Sequence, residues 1–104
     1  MDPAEMVHLE RHMATDEVFV LLEGKAALFL TGGDGSGELQ VEMMQPLKLY
    51  NVKQGAWHNA FLSPDATILL VENKDTSREN SEYSPLTPAQ RALIAETARD
   101  VLSN

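Results

Sequence analysis

The sequence feature that most constrains the fold is a run of five consecutive apolar residues between Glu17 and Glu23. β-Branched and aromatic side chains are frequent in this run, which predicts a β-strand that is buried on both faces. Because side chains alternate along a strand, one face points into the fold and the other needs a second cover, from a helix or a partner subunit. The inward set is Glu17, Phe19 and Leu21, and the outward set is Val18, Val20 and Leu22.

Further short strands, separated by turn residues, recur along the chain. Gly24 and Lys25 predict a tight hairpin between the first apolar strand and the strand that begins at residue 26. Six strands are expected, with a seventh at the His8 end. The six begin at Glu17, Ala26, Glu38, Leu47, Trp57 and Ala66. This pattern is typical of an all-β sandwich or a small barrel.

The C-terminal part of the chain changes character. Residues 73–84 are polar and have no period, so we expect a surface loop there. Thr87, Pro88 and Gln90 then form a capping-box start for a helix. Its apolar stripe at helical spacing consists of Leu93, Ile94, Thr97, Val101 and Leu102. We therefore expect a single domain: a β-barrel over residues 1–86, and an amphipathic helix over residues 87–104 that packs on the barrel or on a partner.

Charge and composition exclude several classes of function. Sixteen Asp and Glu residues stand against eight Lys and Arg, and the net charge of -8 disfavours binding to nucleic acid and to anionic membranes. No apolar run approaches the roughly 20 residues that span a bilayer, and no signal-peptide pattern is present, so we expect a cytoplasmic protein. The chain has no cysteine, and any metal must bind histidine nitrogen or carboxylate oxygen.

The glycine-rich residues 31–37 raise the alternative of a phosphate-binding loop. This segment lacks the Lys-Ser/Thr ending of a P-loop, and a strand pattern follows it where a phosphate site needs a helix N-terminus. A flexible hairpin loop is therefore the better interpretation.

Histidines and carboxylates cluster where the first strands begin. His8, Glu10 and His12 are two residues apart, so an extended chain directs their side chains to the same side. Glu17 begins the buried apolar strand, where a carboxylate is costly unless it binds a metal or accepts hydrogen bonds. Much later in the chain, His58 follows a turn glycine. A β scaffold that brings these residues together would form a site for a metal or a polar ligand.

Two spacings in the chain resemble the sequence motifs of the cupin superfamily. His12-x4-Glu17-x6-Gly24 is similar to the first motif, and Gly55-x2-His58 is similar to the second. The match extends from about residue 8 to about residue 73. The resemblance implies a small jelly-roll β-barrel that holds one divalent metal ion between the two motifs.

The chain departs from the cupin pattern at five positions. Glu10 stands where the family has its first histidine, and Ala4 replaces the opening glycine of the first motif. In the second motif, Lys53, Leu47 and Leu62 replace the usual proline, glycine and asparagine. Two of the usual three histidines and the glutamate are therefore present.

The resemblance implies a metal site formed by His12, Glu17 and His58, with Glu10 as the fourth ligand and His8 as the alternative to Glu10. These nitrogen and oxygen donors suit Fe, Mn, Ni or Zn, and a set of two histidines and two carboxylates favours Mn or Fe over Zn or Cu. The side chains expected to line the pocket are Phe19, Leu21, Phe29, Tyr50 and Ala60.

Two classes of function remain open at this level. In the first, the protein is a metal-dependent enzyme whose ion activates a carbonyl or hydroxyl group of a small substrate or binds dioxygen, with Glu10 or Tyr50 as a proton shuttle. In the second, it is a small-molecule-binding or structural module without metal or turnover. In both cases we expect a homodimer, because strands that are apolar on both faces expose hydrophobic area unless a partner covers it.

Overall fold

The computed structural model describes residues 3–72 and 81–103, in which eight short strands are followed by one helix. All six strands expected between residues 17 and 72 are present, as is the strand at the His8 end. The elements are a 3-10 turn at Pro3–Glu5, β1 His8–His12, β2 Glu17–Glu23, β3 Ala26–Thr31, β4 Gln40–Met43, β5 Leu49–Val52, β6 Trp57–Leu62, β7 Thr67–Val71, β8 Ser81–Pro85 and α1 Pro88–Leu102.

The strands form two antiparallel sheets, which confirms a mostly-β fold with a C-terminal helix. The five-stranded sheet has the order β4-β3-β6-β1-β8, and the three-stranded sheet has the order β5-β2-β7. Within the described residues, hydrogen bonds do not close the two sheets into a barrel.

Two hydrophobic cores lie on opposite faces of the five-stranded sheet, because side chains alternate along its strands. On β3, Leu28 points between the two sheets, whereas Phe29 points to the helix. The inter-sheet core contains Leu21, Ala26, Leu28, Met44, Tyr50 and Val52. The helix-side core includes Phe29, Trp57, Phe61, Ile94, Ala98 and Val101. The helix therefore packs on the outer face of the five-stranded sheet of its own chain.

The structure of the turn at Gly24 and Lys25 differs from the predicted hairpin. The expected hairpin is wrong: β2 lies between β5 and β7, whereas β3 lies between β4 and β6. The turn therefore carries the chain from one sheet to the other. A short glycine turn is compatible with both arrangements, and only the pairing partners of the two strands distinguish them.

The polar segment before the helix corrects a second prediction. Residues 81–85, expected to be mostly loop, form β8, which pairs with β1 along its whole length. The remainder of the expected loop, residues 73–80, lies outside the described residues. Arg11 of β1 donates a hydrogen bond of 2.8 Å from Nε to the Glu82 carboxylate of β8. Cross-strand pairing and this ion pair stabilise β8. Its sequence has no hydrophobic alternation from which a strand could be predicted.

The helix begins as the capping box predicts. The Thr87 hydroxyl accepts a hydrogen bond of 3.1 Å from the Gln90 backbone N–H, and the Gln90 side chain accepts one of 3.0 Å from the Thr87 N–H. The Gln90 side-chain amide also donates to the carbonyl oxygens of Gly35 and Gly37. The glycine-rich loop is thus anchored on the first turn of the helix.

Candidate metal centre

Four of the expected ligand residues meet in the space between the two sheets. β1 ends at His12 and β2 begins at Glu17, so the turn between them links the two sheets at this point. β6 lies beside β1 with His58 opposite Glu10. Across the inter-sheet space, the Phe19 ring of β2 contacts the His58 ring, with centroids 5.8 Å apart.

His58 is buried, and its orientation presents one ring nitrogen to the site. Its Nδ1 lies 3.0 Å from the Ala56 carbonyl oxygen. A carbonyl only accepts, so Nδ1 carries the proton and the lone pair of a neutral ring is on Nε2. Burial lowers the pKa of His58, although the hydrogen bond to Ala56 opposes this effect. The neutral form, which is the form able to bind a metal, is therefore favoured, and within the described part of the chain its Nε2 has no hydrogen-bond partner.

His12 is oriented by a residue of β8. The Ser81 hydroxyl lies 2.7 Å from His12 Nδ1, which leaves Nε2 of His12 to face the site. Metal-binding histidines are commonly held in this way, with the second ring nitrogen on a polar partner. His12 Nε2 lies 2.7 Å from Glu17 Oε1 and 3.8 Å from Glu10 Oε1.

Glu17 is the central acidic group of the site, and only 3% of its side chain is exposed. Its Oε1 is close to His12 Nε2 and lies 3.4 Å from His58 Nε2, but neither contact has hydrogen-bond geometry, so Oε1 has no hydrogen-bond partner among residues 3–72 and 81–103. Burial, followed by interactions with the Glu72 and Glu10 carboxylates, raises the pKa of Glu17 to about 7. A buried carboxylate in this state is stabilised by either a proton or a cation.

Among the described residues, the donor atoms form two overlapping groups of three residues. In each group, one ligand atom per residue lies within 4.8 Å of the others. One group is Glu10, His12 and His58, and the other is His12, Glu17 and Glu72. His12 belongs to both, and because its Nδ1 contacts Ser81, only its Nε2 is available to a metal.

His8 lies on the same face of β1, but the structure does not bring it into either group. Its ring packs edge-on against Tyr83, with centroids 4.8 Å apart. Glu10, with 34% of its side chain exposed, is the residue that occupies the position beside His12. Of the two alternatives for the fourth ligand, the geometry favours Glu10.

Two residues near the site were not foreseen from the sequence, namely Ser81 and Glu72. Ser81 lies in a polar stretch without a period, so no sequence signal distinguishes it. Glu72 directly follows the apolar strand β7, just as Glu17 begins the apolar strand β2. A carboxylate that borders an apolar strand, as Glu17 does, is the sequence signal that could have indicated Glu72.

Four of the five side chains expected to line the pocket belong to or pack against the inter-sheet core, namely Phe19, Leu21, Tyr50 and Ala60. The fifth, Phe29, is fully buried in the helix-side core and does not reach the site. The Tyr50 hydroxyl accepts a hydrogen bond of 2.7 Å from the Gln45 backbone N–H.

A cavity of about 480 Å³ opens near the candidate ligands. Leu30 and Val52, which line it, are the cross-strand neighbours of His58 and Glu17. Its other lining residues are Thr31, Gly32, Glu38, Gln40, Asn51, Lys53 and Ala56. None of the four candidate ligands is among these described lining residues, and the apolar Leu30 and Val52 connect the cavity to the site.

No model of a known protein family matches the chain, and no curated protein is significantly similar to it. Among the described residues, no helix is long and apolar enough to cross a membrane.

Proposed function

We propose that this protein is a cupin-like jelly-roll domain that binds one divalent metal ion through His12, Glu17 and His58, with Glu10 nearby, and that it binds or acts on a small molecule. One observation carries the proposal: two imidazole Nε2 atoms lie 2.7 and 3.4 Å from a buried carboxylate oxygen that has no hydrogen-bond partner in the part of the chain that the structure describes. Such atoms are rare in folded proteins because each loses its hydration without compensation.

A cation supplies what these atoms lack. Leaving a buried acceptor without a partner costs about 1–3 kcal/mol, and more for a charged group. A divalent ion coordinated by Glu17 Oε1 and His58 Nε2 would satisfy both atoms at once. The interaction of each histidine with a second polar group, Ser81 for His12 and Ala56 for His58, holds the rings in orientations suited to coordination.

The donor chemistry restricts the metal. The chain has no thiolates, and imidazole nitrogen with carboxylate oxygen suits Fe, Mn, Ni or Zn. When bound, such an ion supplies Lewis acidity toward an oxygen atom of a small molecule. The cavity next to Leu30 and Val52 has the size range of small-molecule sites.

The first prediction tests the metal site by elemental analysis of the purified, tag-free protein. The wild type is expected to retain about one equivalent of Fe, Mn, Ni or Zn, as one mononuclear site requires. The double variant His12→Ala, His58→Ala is expected to lose it, because two of the three proposed ligands are removed. His8→Ala is the matched control, since it removes the third histidine, which lies outside both donor groups.

Metal content that is unchanged in the double variant would contradict the proposed ligands. Cooperative unfolding of the double variant in urea would show that it is folded and that its loss of metal does not result from unfolding.

A metal-free binding module is the second candidate function, and one observation favours it. With a pKa of about 7, Glu17 is protonated in a substantial fraction of the molecules near neutral pH. A protonated carboxyl can rotate to donate a hydrogen bond to His12 without any metal. Absence of metal from the wild type, even after reconstitution with each ion, would favour this candidate and direct the search to small molecules that bind the cavity.

We also propose that the protein forms a homodimer through the outer face of the three-stranded sheet. Val20 lies between Leu49 and Leu69 in one cross-strand row, and Val18 lies beside Val71 in the next. The exposed fractions are 70% for Leu49, 48% for Leu69 and 54% for Val71. None of these side chains is charged, so two copies can stack here without placing like charges together, although each chain carries a net charge of -8.

The second prediction tests this face by sedimentation velocity at micromolar concentration. The wild type is expected to have the mass of a dimer, and Leu49→Lys is expected to be monomeric because it buries two ammonium groups in an apolar interface. Leu102→Lys is the control, since Leu102 is 47% exposed and lies on the helix. A monomeric wild type would contradict the proposal.

A further inference from the structure

We infer that Glu72 is an additional ligand of the metal ion and that it biases the site toward oxygen-preferring ions such as Mn²⁺ over Zn²⁺. The inference rests on the proposed function, because it concerns the same ion. It adds a residue that belongs to neither of the two sequence motifs from which the site was predicted.

The position of Glu72 follows from strand pairing. β7 runs antiparallel to β2 with Val71 opposite Val18, and continuing this register by one residue brings Glu72 level with Glu17. Donor atoms of His12, Glu17 and Glu72 lie within 4.8 Å of one another. Since metal–ligand distances are about 2.0–2.3 Å, two donors of one ion are at most roughly 4–4.6 Å apart. Small side-chain movements thus permit all three residues to bind one ion.

A buried atom without a partner independently points to a cation at this place. Glu17 belongs to the same group of donors, and 3% of its side chain is exposed. Its Oε1 has no hydrogen-bond partner among the residues that the structure describes. Glu72 itself is exposed. The cluster thus combines a fixed, desolvated carboxylate with a second carboxylate that approaches from the solvent side.

Charge balance favours two carboxylates at this ion. Glu17 and Glu72 repel each other when both are ionised, and a divalent cation between them neutralises both. With neutral His12 and His58, the two carboxylates of Glu17 and Glu72 and one divalent ion together have no net charge, while the Glu10 carboxylate beside them is partly exposed to solvent. Adding a second carboxylate oxygen also makes the donor set richer in oxygen, and carboxylate donors suit Mn²⁺ better than Zn²⁺.

The third prediction is tested by titrating the metal-free, full-length protein with Mn²⁺ alone and with Zn²⁺ alone in a calorimeter. Glu72→Gln is expected to lower the Mn²⁺ affinity by at least about tenfold and the Zn²⁺ affinity by less. Glu23→Gln is the matched control, because it removes the same charge from an exposed residue of β2 that lies outside both donor groups. It is expected to leave the ratio of the two affinities unchanged.

The Co²⁺ absorption spectrum provides a second measurement, since it reports the ligand set rather than the surrounding charge. We expect the spectrum of the Co²⁺-loaded protein to change in Glu72→Gln and in Glu72→Asp, which keeps the charge but shortens the side chain. An unchanged spectrum in both variants would overturn the inference, and so would losses of Mn²⁺ and Zn²⁺ affinity that are equal in Glu72→Gln and Glu23→Gln.

The outcome for the wild type separates the two proposals. If the wild type binds these ions and Glu72→Gln binds them with the same affinities, Glu72 is not a ligand and the proposed metal site stands. If the wild type binds none of them, the proposed site and the inference both fail. Equal urea midpoints for the wild type and Glu72→Gln would show that a loss of affinity does not come from unfolding.

Discussion

A Gly24→Ala variant is expected to be less stable than the wild type by about 3 kcal/mol or more, which is a large share of the stability of a small domain. Gly24 has a φ of 77°, which disfavours any residue with a Cβ atom. A Cβ at this position would also lie 2.6 Å from Ala66 Cα and 2.8 Å from Ala66 N. Both contacts are with backbone, so the strain cannot be relieved by a side-chain rotation.

The location of Gly24 explains why the loss is large. It is the first residue of the turn that crosses between the sheets, and this turn packs on the turn before β7. Ser63 links the two turns, since its backbone N–H donates to the Lys25 carbonyl oxygen and its hydroxyl accepts from the Lys25 N–H, both at 2.9 Å. Moving Ala66 away from a new Cβ would disturb these hydrogen bonds.

Gly55→Ala is the matched control for this fourth prediction. Gly55 also has a positive φ, of 81°, but a Cβ there would meet no atom within 4 Å. Only the conformational penalty of about 1 kcal/mol is then expected. The measurement is urea unfolding of the three proteins followed by circular dichroism. Equal stabilities of the two variants would show that the crossing turn relaxes without loss and would contradict the close packing at Gly24.

The fifth prediction is that Glu17→Gln is more stable than the wild type by about 2–3 kcal/mol at pH 8 when a chelator removes metal. The folded state raises the pKa of Glu17 from 4.5 to about 7. Between these values the folded protein holds a proton that the unfolded chain has released. The stability of the wild type therefore falls as the pH rises through this window, and glutamine, which stays neutral, avoids the loss.

The shape of the pH dependence is the test. The difference in stability between Glu17→Gln and the wild type is expected to grow from about pH 4.5 to about pH 7 and to be constant above it. His58 has the opposite effect, because burial lowers its pKa and makes its protonation at low pH destabilising. Because His58 contacts Glu17, its contribution does not cancel fully, and the test therefore uses the window between about pH 4.5 and about pH 7 in which the Glu17 proton is lost.

Glu23→Gln controls for the change in net charge, because Glu23 lies at the exposed end of the same strand. Its stability is expected to differ from the wild type by less than about 0.5 kcal/mol at every pH. Urea unfolding between pH 4 and pH 9 supplies the measurement. A constant difference between Glu17→Gln and the wild type would contradict the assignment of a raised pKa to the buried carboxyl.

Features that depend on near neighbours in the chain were predicted well. The apolar run predicted β2 with its bounds, and the Thr87 capping box predicted the start of α1. The spacing of Glu10 and His12 predicted that they share a face, because alternation along a strand is a local property. Glu17 was expected to be costly to bury, and it is the residue with the strongly raised pKa.

Features that depend on the partners of a strand were predicted less well. The position of Phe29 under the helix follows from how β3 sits between the two cores, which its own residues do not reveal. Ser81 contacts His12 only because β8 pairs with β1, and Glu72 lies near Glu17 only because β7 pairs with β2.

By itself, the sequence determined the strand-rich class, the C-terminal helix and the restriction of any metal site to nitrogen and oxygen donors. These properties follow from side-chain alternation, capping chemistry and the absence of cysteine. The tertiary structure alone decided that the turn at Gly24 crosses between sheets and that His58 meets Glu17 at 3.4 Å. The reason is physical: the approach of residues 41 positions apart depends on the choice of strand partners, which is set by the summed packing of both cores.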